Sequence, residues 1–109
     1  MSGTSVDGID VVLVEIHGEG YGLRPEVRAF RELSYKPEVR EAILAVSNTE
    51  THTSDISQLN FLLGRLYGEA ILEVCRLSGV PIENLDLVGS HGQTIYHQPR
   101  GLKLAGETV

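Results

Sequence analysis

One cysteine, no tryptophan and four prolines stand among the 109 residues, and nine lysines and arginines face fifteen aspartates and glutamates. A single cysteine excludes an intramolecular disulfide. Cys75 falls between Ile71, Leu72, Val74 and Leu77 at helical spacing, where it reads as a small buried hydrophobe without chemistry. The shortage of basic residues, and their scatter along the chain, argues against a nucleic-acid or anionic membrane surface. No apolar run approaches the roughly 20 residues that cross a bilayer, and the polar start lacks the basic and apolar regions of a signal peptide. These absences lead to an expectation of a cytoplasmic protein with no membrane and no nucleic-acid partner.

What is present is ordinary for a folded domain: 41% hydrophobic and 22% charged residues, with net charge -6. In IDVVLVEIH, residues 9–17, Val11 and Leu13 alternate with Val12, Val14 and Ile16, so the strand is apolar on nearly both faces and suits the middle of a covered sheet. GEGYG at residues 18–22 supplies a turn. Val27, Ala29, Phe30, Leu33 and Tyr35 then mark a second strand, giving a hairpin.

Lys36-Pro37-Glu38 opens a short helix that continues through Val39, Ala42, Ile43 and Val46. Residues 47–54 contain no apolar side chain and read as a loop. Thr53 or Ser54 is expected to cap a longer helix carrying Ile56, Leu59, Leu62, Leu63, Leu66, Ala70, Ile71 and Val74, stopped by Gly79 and Pro81. Residues 85–89, LDLVG, read as a brief buried strand that delivers the chain into SHGQTIYH. The ends of such strands are where open α/β sheets bind ligands.

Two stretches have the residue types for chemistry. MSGTSVDGID has the Gly3-x4-Gly8 spacing of a Walker loop, but Ile9 and Asp10 occupy the places of its lysine and hydroxyl residue, which excludes that device. A phosphate-gripping hairpin is another solution. Gly3 and Gly8 permit close backbone approach, Thr4 and Ser5 donate hydrogen bonds, and Asp7 or Asp10 serves a hydrated magnesium ion. A plain Asp-Gly turn satisfies the same spacing, and the residues alone leave both open. In SHGQTIYH, Ser90, His91, Gly92, Gln93, Thr94 and His97 offer groups suited to sugar hydroxyls, amides or carboxylates, or a loop whose histidines are hydrogen-bonded internally. Zinc is disfavoured because no cysteine or second ligand pair accompanies the histidines. A serine hydrolase is disfavoured because adjacent Ser90 and His91 do not present to each other and no Gly-x-Ser-x-Gly elbow is present.

MSGTSVDGID and GSHGQTIYHQP, in that order and separated by the hairpin and the LNFLLGRLYGEAI helix, resemble the anhydro-N-acetylmuramic acid kinases of bacteria. The resemblance covers essentially the whole chain. It implies an α/β fold, part of a ribonuclease-H-like, actin-like ATPase domain in which a strand hairpin and helices pack on a mixed sheet. By that likeness, Gly3, Thr4, Ser5, Val6, Asp7, Gly8, Ile9 and Asp10 grip ATP with Mg2+ nearby, and Ser90, His91, Gly92, Gln93, Thr94 and His97 line the amino-sugar side of the cleft. The implied reaction hydrolyses the anhydro bridge of 1,6-anhydro-N-acetylmuramic acid and phosphorylates O6, in peptidoglycan recycling, with the intact parent as a candidate homodimer.

The family's general-base aspartate lies downstream of the matched motifs. Residues 1–109 are therefore expected to be the N-terminal portion of the first kinase domain, without a catalytic residue and inactive alone, the remainder and the second domain being absent. The alternative is a noncatalytic ribonuclease-H-like module that binds sugar or nucleotide.

Overall fold

The computed structural model describes residues 6–108. Strands β1 (Gly8–His17) and β2 (Arg24–Ser34) form the expected antiparallel hairpin, with Gly8 opposite Ser34 and His17 opposite Arg24. A one-turn 3-10 helix at Gly20–Gly22 sits in the connection. The register shifts between Leu13 and Val14, whose partners are Ala29 and Val27, so Arg28 forms a bulge. That extra residue turns its guanidinium onto Glu15, with Nε donating to the carboxylate at 2.7 Å.

Helix α1 (Pro37–Val46) starts on Pro37, where a missing N–H costs nothing, and has Glu38 in its first turn. Its Ile43 is fully buried and Val46 nearly so. Helix α2 (Thr53–Ser78) spans 26 residues. His52, and neither Thr53 nor Ser54, occupies its N-cap position and makes no side-chain capping bond. The Asp55 carboxylate draws the neighbouring hydroxyls instead, accepting from Thr51 at 3.1 Å and Ser54 at 3.3 Å. The helix closes at Gly79, after which the Val80 N–H donates to the Cys75 carbonyl at 3.1 Å.

The apolar stripe of α2 lies against the hairpin and α1. Val6, Ile43, Val46, Leu59 and Leu63 form the core cluster, with Tyr35, Val39, Ile56 and Ile95 packed around it. Cys75 is buried and free, as its surroundings in the sequence require. A second 3-10 turn, Ile82–Asn84, leads out of α2.

Residues 85–89 do not form the expected strand. They make no ladder, and Leu87 is 86% exposed, because the segment lies across a groove from β1 without pairing to it. The described sheets are accordingly two antiparallel pairs and not one mixed sheet. The second is a short hairpin unforeseen from the sequence, β3 (Lys103–Leu104) with β4 (Glu107–Thr108). It turns through Ala105 and Gly106, both at positive φ.

Candidate functional site

The opening motif enters the fold by way of its core. Gly3, Thr4 and Ser5 lie outside the described residues. Val6 has φ 55, a backbone conformation that β-branched residues disfavour, yet its side chain is buried among Ile43, Val46, Leu59 and Leu63. Core packing holds the turn in this shape. Ile9 is likewise buried. Gly8 begins β1 so close to β2 that a Cβ would press on the Leu33 carbonyl oxygen and come within 2.9 Å of the Ser34 Cα. Asp7 and Asp10 are left with exposed side chains.

Asp10 stands opposite Glu32, so this end of the hairpin concentrates negative charge. Among the described residues no three His, Cys, Asp or Glu side chains gather closely enough to hold a metal unaided. An exposed carboxylate suits a magnesium ion that keeps most of its waters and takes further oxygens from phosphate. The donor set fits that arrangement and not a protein cage.

A groove of about 920 Å³ runs between β1, α2 and residues 84–90, with Asp10, Gly89 and Ser90 on its walls. A smaller cavity of about 430 Å³ lies between α2 and the second motif, lined by Leu59, Leu63, Ser90, Gly92, Gln93 and Ile95. Ser90 and Tyr67 line both. His91, Thr94 and His97 are exposed and line neither. Gly92 adopts φ 71, in the left-handed region that glycine enters at no steric cost, and its N–H donates to the Ser90 hydroxyl oxygen at 3.1 Å.

Tyr35 joins the two motifs. Its N–H donates to the Asp7 carbonyl at 3.0 Å, and its hydroxyl reaches the Gln93 side-chain oxygen at 3.4 Å. Asn48, just past α1, holds the far side of the second motif: its N–H donates to the Ile95 carbonyl at 2.8 Å and its Oδ1 accepts the His97 N–H at 3.2 Å. In the sequence Tyr35 falls in the pattern of a strand and Asn48 in a loop without apolar residues. For Asn48 a signal existed, since asparagine one residue beyond a helix C-cap favours the left-handed conformation found here, φ 53. For Tyr35 none did, because only the folded hairpin brings residue 93 within reach.

At the opposite end of the groove, Glu15 lies beside Arg28. The Arg28 hydrogen bond holds the Glu15 carboxyl below the usual carboxylate range, and the same contact raises the guanidinium. Both groups are exposed, and the pair braces the bulge.

A family model described as anhydro-N-acetylmuramic acid kinase matches residues 1–106. An anhydro-N-acetylmuramic acid kinase of Bacillus cereus is 44% identical over 103 residues, covering 92% of this chain and 26% of the relative. One from Caldanaerobacter subterraneus subsp. tengcongensis is 42% identical over 110 residues, covering all of this chain and 28% of the relative. One from Bacillus anthracis is 45% identical over 101 residues, again 26% of its length. The chain thus spans about a quarter of the curated relatives it matches. Among the described residues, no helix is long and apolar enough to cross a membrane.

Proposed function

Because the chain belongs to the anhydro-N-acetylmuramic acid kinase family, we propose that it supplies the phosphate-gripping hairpin and one sugar-facing wall of such an enzyme. The fold implied is the first part of a ribonuclease-H-like domain. In this reading residues 3–10 hold the ATP phosphates through backbone N–H groups and short hydroxyls. Asp7 or Asp10 orients the water shell of Mg2+, which neutralises phosphate charge when bound. Ser90, His91, Gly92, Gln93, Thr94 and His97 orient the sugar so that O6 faces the γ-phosphate.

The overall reaction takes ATP, water and 1,6-anhydro-N-acetylmuramic acid to ADP and N-acetylmuramic acid 6-phosphate. Water opens the anhydro bridge at C1, and O6, released from that bridge, takes the phosphoryl group. The water must lose a proton to a carboxylate that lies outside these residues, so the chain contributes positioning and charge placement. In this reading the work is done in the cytoplasm, where ATP is available.

The observation that supports the reading most is Tyr35, which touches the Asp7 backbone with one hydrogen bond and Gln93 with another. A residue that fixes the two motifs relative to each other is what transfer between two bound substrates needs, since misplacing the reacting atoms by about 1 Å can cost about 100-fold in rate.

A chimera in which this chain replaces the matching first quarter of the Bacillus cereus kinase tests it. The chimera should form N-acetylmuramic acid 6-phosphate, whereas the 109-residue chain alone should form none. Asp7→Ala in the chimera should lower kcat/KM by about 100-fold or more, in the range reported for losing an electrostatic group at a transition state. Unchanged turnover and ATP affinity in that variant would remove the hairpin from the nucleotide site.

A further inference from the structure

Residues 91–98 belong to no helix or strand, so whatever holds their backbone must come from elsewhere in the fold. For residues 95–97 that support is Asn48. The Asn48 N–H donates to the Ile95 carbonyl at 2.8 Å, and the His97 N–H donates to the Asn48 Oδ1 at 3.2 Å. These two bonds reproduce one rung of a parallel ladder, in which a residue donates to the position before its partner and accepts from the position after it. Tyr96 is the partner here, and one component is unusual: the accepting oxygen is the side-chain amide, standing in for the backbone carbonyl.

The substitution has a conformational cause. At φ 53 the Asn48 backbone does not follow an extended strand, and its side chain supplies the acceptor within the same residue. The rung is also well anchored. Asn48 follows Ser47, whose hydroxyl donates to the Ile43 carbonyl at 2.6 Å, and Ile43 is fully buried. Ile95 packs on the same core cluster, while Tyr96 and His97 remain exposed. A chain of fixed contacts therefore runs from the core through the end of α1 to the backbone of His97, and the imidazole is left free to meet a ligand.

We propose that Asn48 is a positioning residue for the sugar side of the cleft, setting where His97 and the residues before it are presented. The proposal rests on the sugar-kinase reading above and adds to it a residue outside both motifs. The side-chain acceptor is what matters, so the backbone and side-chain contributions must be separated. Asn48→Gly keeps the left-handed backbone and the N–H to Ile95 but removes Oδ1. Asn48→Asp keeps an acceptor in the same place.

Amide hydrogen exchange on the full chain, followed by NMR, should show His97 losing about tenfold protection in Asn48→Gly, the scale of one hydrogen bond, with the amides of α1 unchanged. Asn48→Asp should retain it. Titration of the same proteins with millimolar 1,6-anhydro-N-acetylmuramic acid should then move the His97 and Gln93 resonances in the native chain and in Asn48→Asp, and move them less than a third as far in Asn48→Gly. Native protection of His97 in the glycine variant would overturn the clamp. Equal shifts in all three proteins would overturn the positioning role, as would no shift in any of them while the chimera described above is active. An inactive chimera would instead mark failure of the sugar-kinase reading, with the exchange result still deciding the clamp.

Discussion

At the scale of single residues, the opening motif serves two masters. Val6 and Ile9 turn their side chains into the core while Asp7 and Asp10 stay outside it, an alternation that presents the acids from a fixed base. Gly8 is the residue whose role changes most between sequence and structure. Spacing in the sequence gives it the task of letting phosphate approach the backbone. In the fold its missing Cβ also lets β2 approach, since an alanine there would press on the Leu33 carbonyl and the Ser34 Cα. Both are backbone atoms and have no rotamer by which to move aside. Gly8→Ala should therefore destabilise the chain by about 1–3 kcal/mol, the usual cost of overpacking, as read from the midpoint of urea denaturation. Gly64→Ala, where nothing lies within 4 Å of the added atom, is the control and should be neutral or slightly stabilising. Equal midpoints for Gly8→Ala and the native chain would show that the strands separate there at no cost.

At the scale of elements, the hairpin depends on a bulge whose extra residue is Arg28, and the bulge has a pH signature. Glu15 has its carboxyl held below the ordinary range in the folded state by the Arg28 hydrogen bond. A depressed folded-state value means the contribution is present above the unfolded glutamate range and is lost as pH falls through the folded one. Denaturation midpoints of the native chain and Arg28→Ala, compared between neutral pH and acid, should differ at neutral pH and converge in acid. Because both partners are exposed, the neutral difference should be small and should shrink with salt. A gap that widens on acidification would contradict the assignment. The elements also show what a sequence can disclose. The hairpin, α1, α2 and the burial of Cys75 were legible because each rests on local periodicity and on breakers such as Pro37 and Gly79. Residues 85–89 read as a strand in the sequence because a short apolar run records only a capacity to pair, and among the described residues no strand is hydrogen-bonded to them. The candidate motifs were visible as unusual clusters of small and polar residues. The groups that tie them together, Tyr35 and Asn48, were not, since their contacts with residues 93–97 cross 58 and 49 positions.

At the scale of the whole molecule, the apolar content of β1 exceeds what the fold covers. Alternation places Ile9, Val11 and Leu13 on the face toward α2, where they are buried or half-buried. The opposite face carries Val12 across from Phe30, Val14 across from Val27 and Ile16 across from Pro25. Val27 and Ile16 are 63% and 61% exposed, and Val12 and Phe30 about half. The radius of gyration, 17.2 Å, points the same way, since a compact domain of this length would have about 13 Å. A contiguous apolar sheet face, on a β1 strand that among the described residues pairs only with β2, is a surface that water disfavours and that another polypeptide can cover. The isolated chain should therefore associate with itself as concentration rises, giving a weight-average mass above 11.9 kDa in sedimentation equilibrium. It should also enhance the fluorescence of a dye that binds exposed apolar surface. Replacing Val12 and Phe30 together by threonine keeps β-forming residues in both strands and removes apolar area from the open face only. That double variant should shift the equilibrium toward monomer and lower the dye signal, with the far-UV spectrum of α2 retained. A native chain that stays monomeric at millimolar concentration would show that the open face is tolerated in water, and the apolar character of β1 would then need a cause other than burial on both sides.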